Sequence, residues 1–319
     1  MRALRVIEFK SAPSLEDVET PEPGPGEVRI AVAACGLNFA DLLMIKGEYQ
    51  ATPPLPFTLG MEVAGRVDAL GDGVTGLSVG DRVAYFGGHG GLAEFCTAPA
   101  EGCVALPDAM GFEDAAAFQI AYGTSHMALT YRAHLKQGET LLVLGAAGGV
   151  GLTAVEIGAA LGAKVIAVAR GDAKCAVALE AGADAAVDAE DPDLLETLRK
   201  MGGADVIYDP VGGELAQIGL RATKRGARFL VIGFASGQVP DAKLNHLLVK
   251  NIAVHGFYWG GYLEFDPTPL RASMAELFEL YGAGTLKLHI GLTARLEEAP
   301  AALEKLRKRE TTGKVVITI

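Results

Sequence analysis

The stretch Leu141-Leu-Val-Leu-Gly-Ala-Ala-Gly-Gly-Val-Gly151 decides the fold, because it runs an apolar strand straight into a glycine turn and then into a helix. Glycines lack a Cβ, so the chain can turn tightly, approach a pyrophosphate closely and let the next helix pack on its strand. That helix points its unpaired N–H groups at the anion. In the G-x-G-x-x-G frame the motif reads Ala146-x-Gly148-x-x-Gly151, with alanine at the first position. The bare pattern is moderately specific, and its setting strengthens it. Glu139 to Leu144 reads as a buried strand, and Val150 to Leu161 places Val150, Val155, Ile157 and Leu161 among small residues that permit close helix–sheet contact.

Working outward, the sequence from Glu139 to about Phe257 alternates strand and helix with short connections, the mark of a doubly wound parallel sheet. Strands are expected at Thr140–Leu144, Lys164–Ala169, Ala185–Asp188, Ala204–Tyr208, Arg228–Ile232 and Ile252–Phe257. Asp172 is placed to cap the helix ending at Gly182, and Asp191-Pro192 supplies a cap and a first-turn proline for the next. Residues 1 to about 120 differ, with short alternating strands at Val28–Ala34, Glu62–Ala69, Arg82–Tyr85 and Ala93–Thr97 separated by Pro-Gly and Gly-Asp turns. Helices are expected at Pro269–Tyr281 and Glu297–Arg309, then a strand, Lys314–Ile319. A terminal strand is more stable paired than alone, so it is assigned back to the first lobe. The fold class is therefore α/β: a Rossmann-type cofactor domain at 121–258, and a mostly β domain made of 1–120 and a return segment, 259–319.

Composition narrows the function. The chain has 319 residues, half of them apolar, which suits two lobes better than one compact domain. A formal charge of −11 disfavours nucleic acid and anionic membranes as partners. Low-charge stretches such as Leu141 to Val155 are broken by glycine and fall short of the roughly 20 residues of a spanning helix. No basic segment followed by an apolar signal core opens the sequence, so a cytoplasmic location is expected. The four cysteines form no C-x-x-C pair and the six histidines are dispersed, so neither a disulfide framework nor a metal site is expected.

In the NAD version of this fold an acidic side chain at the end of the second strand binds the ribose hydroxyls. Here that strand ends Val165-Ile-Ala-Val-Ala169-Arg170-Gly-Asp-Ala-Lys174, with no acid at its tip. Arg170 and Lys174 offer two positive charges where a 2′-phosphate would lie, so NADPH is the expected cofactor. The competing reading is a solvated loop and helix start, with Asp172 weakening the field.

Several segments together resemble one family: Cys35-Gly-Leu-Asn38-Phe-Ala-Asp41, Gly60-Met-Glu-Val-Ala-Gly65, Gly80-Asp-Arg-Val83, the glycine turn, Lys174 followed by Ala181-Gly-Ala-Asp184, and Gly313-Lys-Val-Val316. Their order and spacing resemble a zinc-independent medium-chain dehydrogenase/reductase of the quinone oxidoreductase (zeta-crystallin-like) family, over essentially the whole chain. Lys250-Asn-Ile-Ala-Val-His-Gly-Phe-Tyr-Trp259 resembles a quinone oxidoreductase-like branch in particular. The resemblance implies a GroES-like fold for the β lobe. Zinc-dependent relatives carry cysteine where this chain has Asn38, and histidine where it has Met61. A carboxamide and a thioether are poor partners for Zn²⁺. Without a Lewis acid, alcohol oxidation loses the device that stabilises an alkoxide, whereas hydride reduction of an electron-poor acceptor remains feasible.

Site residues follow by position. Ala147, Gly148, Gly149 and Val150 are expected to hold the pyrophosphate through backbone N–H groups, and Arg170 and Lys174 the 2′-phosphate. The resemblance implies Asn38 and Thr124 near the nicotinamide, Ile232, Gly233 and Phe234 flanking its ribose, Phe257, Tyr258 and Trp259 approaching the same region, and Arg309 reaching the adenosine phosphate. A family tyrosine that helps hold that phosphate is replaced by Ala189. For catalysis the candidates are Asn38, as a donor to an acceptor oxygen, and Tyr49, as a proton donor or a wall of the substrate cleft. His89 in the Phe86-Gly-Gly-His-Gly-Gly91 loop reads as a surface histidine.

The expected activity is NADPH-dependent reduction of a quinone or related α,β-unsaturated carbonyl compound in a cleft between the lobes. Two other readings stay open: an enoyl-thioester reductase acting on an acyl-CoA or acyl carrier, and a nucleotide-binding structural or regulatory protein with little turnover. The family usually dimerises through its nucleotide lobe, which implies a homodimer.

Overall fold

The computed structural model describes all residues from Met1 to Ile319, in two compact units: Met1–Ile120 with Leu288–Ile319, and Ala121–Lys287. In the first unit the organising element is the strand Glu27–Leu37, whose alternating sequence buries every second residue before becoming wholly buried at its end. It pairs antiparallel with Glu62–Leu70 on one side and with Lys314–Thr318 on the other, and Phe95–Pro99 also pairs with it. The last strand therefore does return to the first lobe. The sheet is completed by Arg82–Phe86, Cys103–Ala105 and Ile290–Arg295, and a smaller sheet joins Arg2–Val6 to Ser14–Asp17 and Phe57–Thr58. Ile30, Val32, Leu37, Met44, Leu59, Val63, Val83 and Ile317 fill the core. Gly36 is fixed by close approach, since a Cβ there would lie 2.1 Å from the Ala116 carbonyl oxygen.

The second unit is a six-stranded, wholly parallel sheet. Its strands are Thr140–Leu144, Lys164–Ala169, Ala185–Asp188, Ala204–Asp209, Thr223–Val231 and Ala253–Gly256, and their spatial order is 3-2-1-4-5-6. Helices cover a parallel sheet on both faces, which is why Thr140–Leu144 is buried at every position. The first and fourth strands are neighbours, so the order reverses between them, and open α/β sheets bind ligands at that place.

Three local expectations change. The fifth strand begins earlier than Arg228, because Ala204 pairs with Thr223 before an irregularity resets the register to Val206 opposite Arg228. Asp172 lies in the first turn of Gly171–Glu180 and does not cap it; Arg170 holds the cap position with no side-chain bond. The helix after Asp191 starts only at Leu194, with Asp191 accepting from the Asp193 N–H at 2.8 Å and the Thr197 hydroxyl at 3.1 Å.

The boundary expected between 258 and 259 lies instead after Lys287. Aromatic packing keeps the intervening chain with the parallel sheet: Tyr262 meets Phe257 at 5.7 Å and Tyr131 edge-on at 6.0 Å, centroid to centroid. The helix Thr268–Gly282 is tied in as well, with Ser273 Oγ 2.8 Å from Nδ1 of the buried His126. No helix in the chain is long and apolar enough to cross a membrane.

Candidate functional site

In the second unit the first strand ends at Gly145, whose φ of +62° suits glycine. Side chains are excluded around the turn: a Cβ on Gly145 would lie 2.7 Å from Val211 Cγ2, and one on Gly151 would lie 2.2 Å from the Gly145 carbonyl oxygen. Gly148 occupies the cap of the helix Gly149–Ala160 and has no side chain to satisfy it. The N–H groups of Gly149, Val150 and Gly151 therefore lack both intrahelical acceptors and a capping oxygen, at the positive end of the helix dipole. Gly148 departs from the expectation, because its N–H is engaged with the Gly145 carbonyl at 3.0 Å. It shapes the turn, and the unpartnered donors are those of its helical neighbours.

At the tip of the second strand, Arg170 Nε lies 3.1 Å from Glu190 Oε1, with both side chains more than half exposed. A pair of that kind contributes about 0–1 kcal/mol and yields readily to a competing dianion. Lys174 stands on the first turns of Gly171–Glu180. The nearby acid, Asp188, belongs to the third strand, and its Oδ1 accepts the N–H groups of Gly171 and Glu190, each at 3.0 Å. These backbone donors hold its pKa below the usual carboxylate value.

Asp209, at the end of the fourth strand, escaped the sequence reading. Its Oδ1 accepts the N–H groups of Val211 and Gly212, each at 2.9 Å, while Oδ2 is buried without a protein partner. Burial raises its pKa, against the pull of those two N–H groups. Its main-chain carbonyl receives Ile232 N at 2.9 Å and Gly233 N at 3.3 Å, so Asp209 positions the Ile232–Phe234 segment. The sequence signal was an acid closing an apolar strand just before Pro210-Val-Gly-Gly213. Of the aromatic trio, Phe257 and Trp259 are buried and Tyr258 is exposed. The Trp259 ring packs on Gly123, where a Cβ would lie 2.7 Å from its indole nitrogen, and so stands beside Thr124.

The first unit carries the other candidates. Asn38 ends the long strand and caps the helix Phe39–Lys46. Its amide nitrogen donates to Glu62 Oε1 at 3.0 Å and to the Gly36 carbonyl at 3.3 Å, while its Oδ1 accepts from Lys314 Nζ at 2.8 Å. Both amide N–H directions are thus occupied, and the donor to an acceptor oxygen expected of Asn38 is not free in this arrangement. The same lysine, 4% exposed, donates to Glu62 Oε1 at 2.7 Å and to the Leu37 carbonyl at 3.0 Å. Glu62 uses its other oxygen to accept the Ile120 N–H at 2.9 Å. Asp41 fastens this cluster to its turns, accepting from Asn38 N at 2.8 Å and Gly60 N at 3.2 Å. It is wholly buried, and burial lifts its pKa to about 6.

The positions of the metal ligands do not suit zinc. Met61 is packed into the apolar core, the Asn38 carboxamide is held by an ammonium and a carboxylate, and no group of three or more His, Cys, Asp and Glu side chains is disposed to hold a metal.

Tyr49 packs partly buried against the core of the first unit, and its carbonyl accepts the Thr52 hydroxyl at 2.7 Å. His89 is exposed. Arg307 and Lys308 both reach Glu304, whereas Arg309 lies just past that helix with a left-handed φ of +58°.

Comparison with known proteins agrees with these two units. Residues 24–108 match the alcohol dehydrogenase GroES-like domain and residues 149–279 the zinc-binding dehydrogenase family. Quinone oxidoreductase-like protein 2 of Bos taurus is 38% identical over all of this chain and 92% of its own length. The human synaptic vesicle membrane protein VAT-1 homolog is 33% identical over 93% of this chain and 80% of its own. Among solved structures, the quinone oxidoreductase of Thermus thermophilus, also solved with NADPH, superposes with a TM-score of 0.88 at 33% identity, covering both chains fully. The Escherichia coli quinone oxidoreductase complexed with NADPH gives 0.92 at 29% identity, again covering both chains fully. The chain belongs to the quinone oxidoreductase family of medium-chain dehydrogenases/reductases.

Proposed function

We propose that this protein is an NADPH-dependent reductase that delivers hydride to a quinone or a related α,β-unsaturated carbonyl compound without zinc. The observation that carries the reading is the pairing of an uncapped glycine turn with two cations, Arg170 at the tip of the neighbouring strand and Lys174 on the first turns of the helix that follows it. The NADPH complexes of the related quinone oxidoreductases support it. Bound there, NADPH would supply the hydride, and with one proton a quinone would leave as the hydroquinone.

The chain's own residues bind and orient. The Gly149–Gly151 N–H groups receive the pyrophosphate, the two cations receive the 2′-phosphate, and Asp209 fixes the Ile232–Phe234 segment that flanks the nicotinamide ribose. Asn38 takes a supporting part in this scheme, as one member of a closed network with Glu62 and Lys314. Tyr49 acts as a wall. The test is NADPH oxidation with benzoquinone, phenanthrenequinone, crotonyl-CoA and no acceptor. Turnover with the quinones supports the proposal; turnover with the thioester alone would replace it, and tight NADPH binding with no turnover would favour a non-enzymatic role.

We also propose a homodimer formed through the second unit. The strand Ala253–Gly256 lies at the edge of its sheet, and the preceding helix exposes Leu244 at 78%, Leu248 at 76% and Val249 at 69%. An open strand edge beside exposed aliphatic residues invites a second copy. Light scattering that finds only monomer at micromolar concentration would end this assignment.

A further inference from the structure

Beneath the glycine turn lie three buried hydroxyls that the scheme above does not use. Ser125 and Tyr208 are 0% exposed and Thr153 is 5% exposed. Ser125 Oγ lies 2.9 Å from Tyr208 OH, 2.8 Å from Thr153 Oγ1 and 2.9 Å from the Val150 carbonyl. Thr153 Oγ1 in turn lies 3.0 Å from the Val150 carbonyl and 3.1 Å from that of Ala121.

Proton accounting gives this cluster a direction. A buried hydroxyl that donates to nothing is costly, and the only acceptor the structure offers the Tyr208 proton is Ser125. Burial raises the Tyr208 pKa and keeps the phenol protonated. Ser125 therefore accepts from Tyr208, its own proton is shared between Thr153 Oγ1 and the Val150 carbonyl, and the Thr153 proton is shared between the carbonyls of Val150 and Ala121. Val150 is in the first turn of the nucleotide helix, and its carbonyl shares one peptide unit with the Gly151 N–H. Hydrogen bonds on a peptide carbonyl polarise the unit and strengthen donation from its N–H.

We propose that Tyr208, Ser125 and Thr153 are positioning residues for the cofactor pyrophosphate, acting through the Val150–Gly151 peptide by holding its carbonyl and strengthening its N–H. The inference rests on the reading of the glycine turn as an NADPH site. It links the fourth strand and the helix Phe112–Met127 to the turn through side chains that never touch the ligand.

The test compares a ligand that has the pyrophosphate with one that lacks it. NADPH and adenosine 2′-monophosphate are titrated against the wild-type protein and its Tyr208→Phe, Thr153→Val and Thr153→Ser variants, with melting temperatures measured in parallel. Tyr208→Phe and Thr153→Val should raise the NADPH Kd about three- to ten-fold, the range expected for a lost neutral hydrogen bond. Both should leave the Kd for adenosine 2′-monophosphate within about two-fold, and Thr153→Ser, which keeps the hydroxyl, should bind NADPH like wild type. Unchanged NADPH affinity, or equal losses for both ligands, would overturn the inference. Tyr208→Phe removes one oxygen and keeps the ring, so it decides the matter even if Thr153→Val does not fold. Wild-type protein that binds no NADPH would overturn the reading of the turn itself, together with the inference built on it.

Discussion

The glycine turn and the Asn38–Glu62–Lys314 cluster each contain a residue that the sequence marks as a candidate, yet they use their polar groups in opposite ways. At the turn, first-turn N–H groups are left without intrahelical or capping partners, on a backbone stripped of side chains so that something can come close. In the cluster, the ammonium has three acceptors, the carboxamide is engaged at both ends, and both carboxylate oxygens of Glu62 are bonded. Buried groups that satisfy one another make a scaffold, whereas donors left open at a surface make a binding site. On that contrast we propose ligand chemistry at the turn and structural work for the cluster.

The largest effect should come from breaking the closed side. Lys314→Met leaves Glu62 buried without its counter-charge, and about 3–5 kcal/mol of stability should be lost. Adding Glu62→Gln should recover part of it; chemical denaturation that finds Lys314→Met as stable as wild type would contradict the scaffold role.

Asp41 sharpens the same side through pH. Its folded pKa, about 6, lies above the ordinary carboxyl value of 3.8, so the folded state holds the proton more tightly than the unfolded chain does. The stability this group contributes is fully present below pH 4 and is lost as pH rises through about 6, by roughly 3 kcal/mol. Asp41→Asn lacks that titration, so its stability relative to wild type should improve between pH 4 and 7. A constant difference across that range would show that Asp41 does not titrate there.

On the open side, Gly151→Ala places a Cβ 2.2 Å from the Gly145 carbonyl oxygen and forces the turn apart. NADPH affinity should fall about five- to 150-fold, from an overpacking strain of about 1–3 kcal/mol, as read by fluorescence titration. The smallest effect concerns Glu190, which pairs with Arg170 and, in the proposed site, would compete with the 2′-phosphate for it. Glu190→Gln should tighten NADPH about two- to four-fold and leave NADH unchanged, since an exposed pair is worth at most about 1 kcal/mol. Equal gains for the two cofactors would place the 2′-phosphate elsewhere.

The cofactor lobe was legible because its information is local. An apolar run, a glycine turn and regular punctuation placed Thr140–Leu144, Lys164–Ala169 and Ala185–Asp188 at the residues where they are found. The return of Lys314–Thr318 to the first lobe was also readable, because an isolated strand has few other places to pair. What stayed hidden depends on contacts between distant residues. Lys314 meets Glu62 across 252 positions, and nothing near either residue announces the other. The boundary moved from 258 to 287 because Tyr262 and Ser273 find Phe257, Tyr131 and His126, a packing choice invisible in a single sequence. The strand expected to end at Ala34 runs on to Leu37, next to Asn38, which only the resemblance had singled out; its donor role was not legible, since it depends on which way the carboxamide is turned by Lys314. Gly148 belongs to the same class: its residue type was read correctly, and its N–H turned out to face Gly145.

Amide hydrogen exchange with and without NADPH tests the contrast most directly. NADPH should slow exchange across Gly145–Leu152 and around Arg170–Lys174, and should leave the Gly36–Asp41 and Glu62–Ala64 amides at their already slow rates. Protection that appears at the cluster and not at the turn, or at neither, would contradict the assignment of ligand chemistry to the open donors.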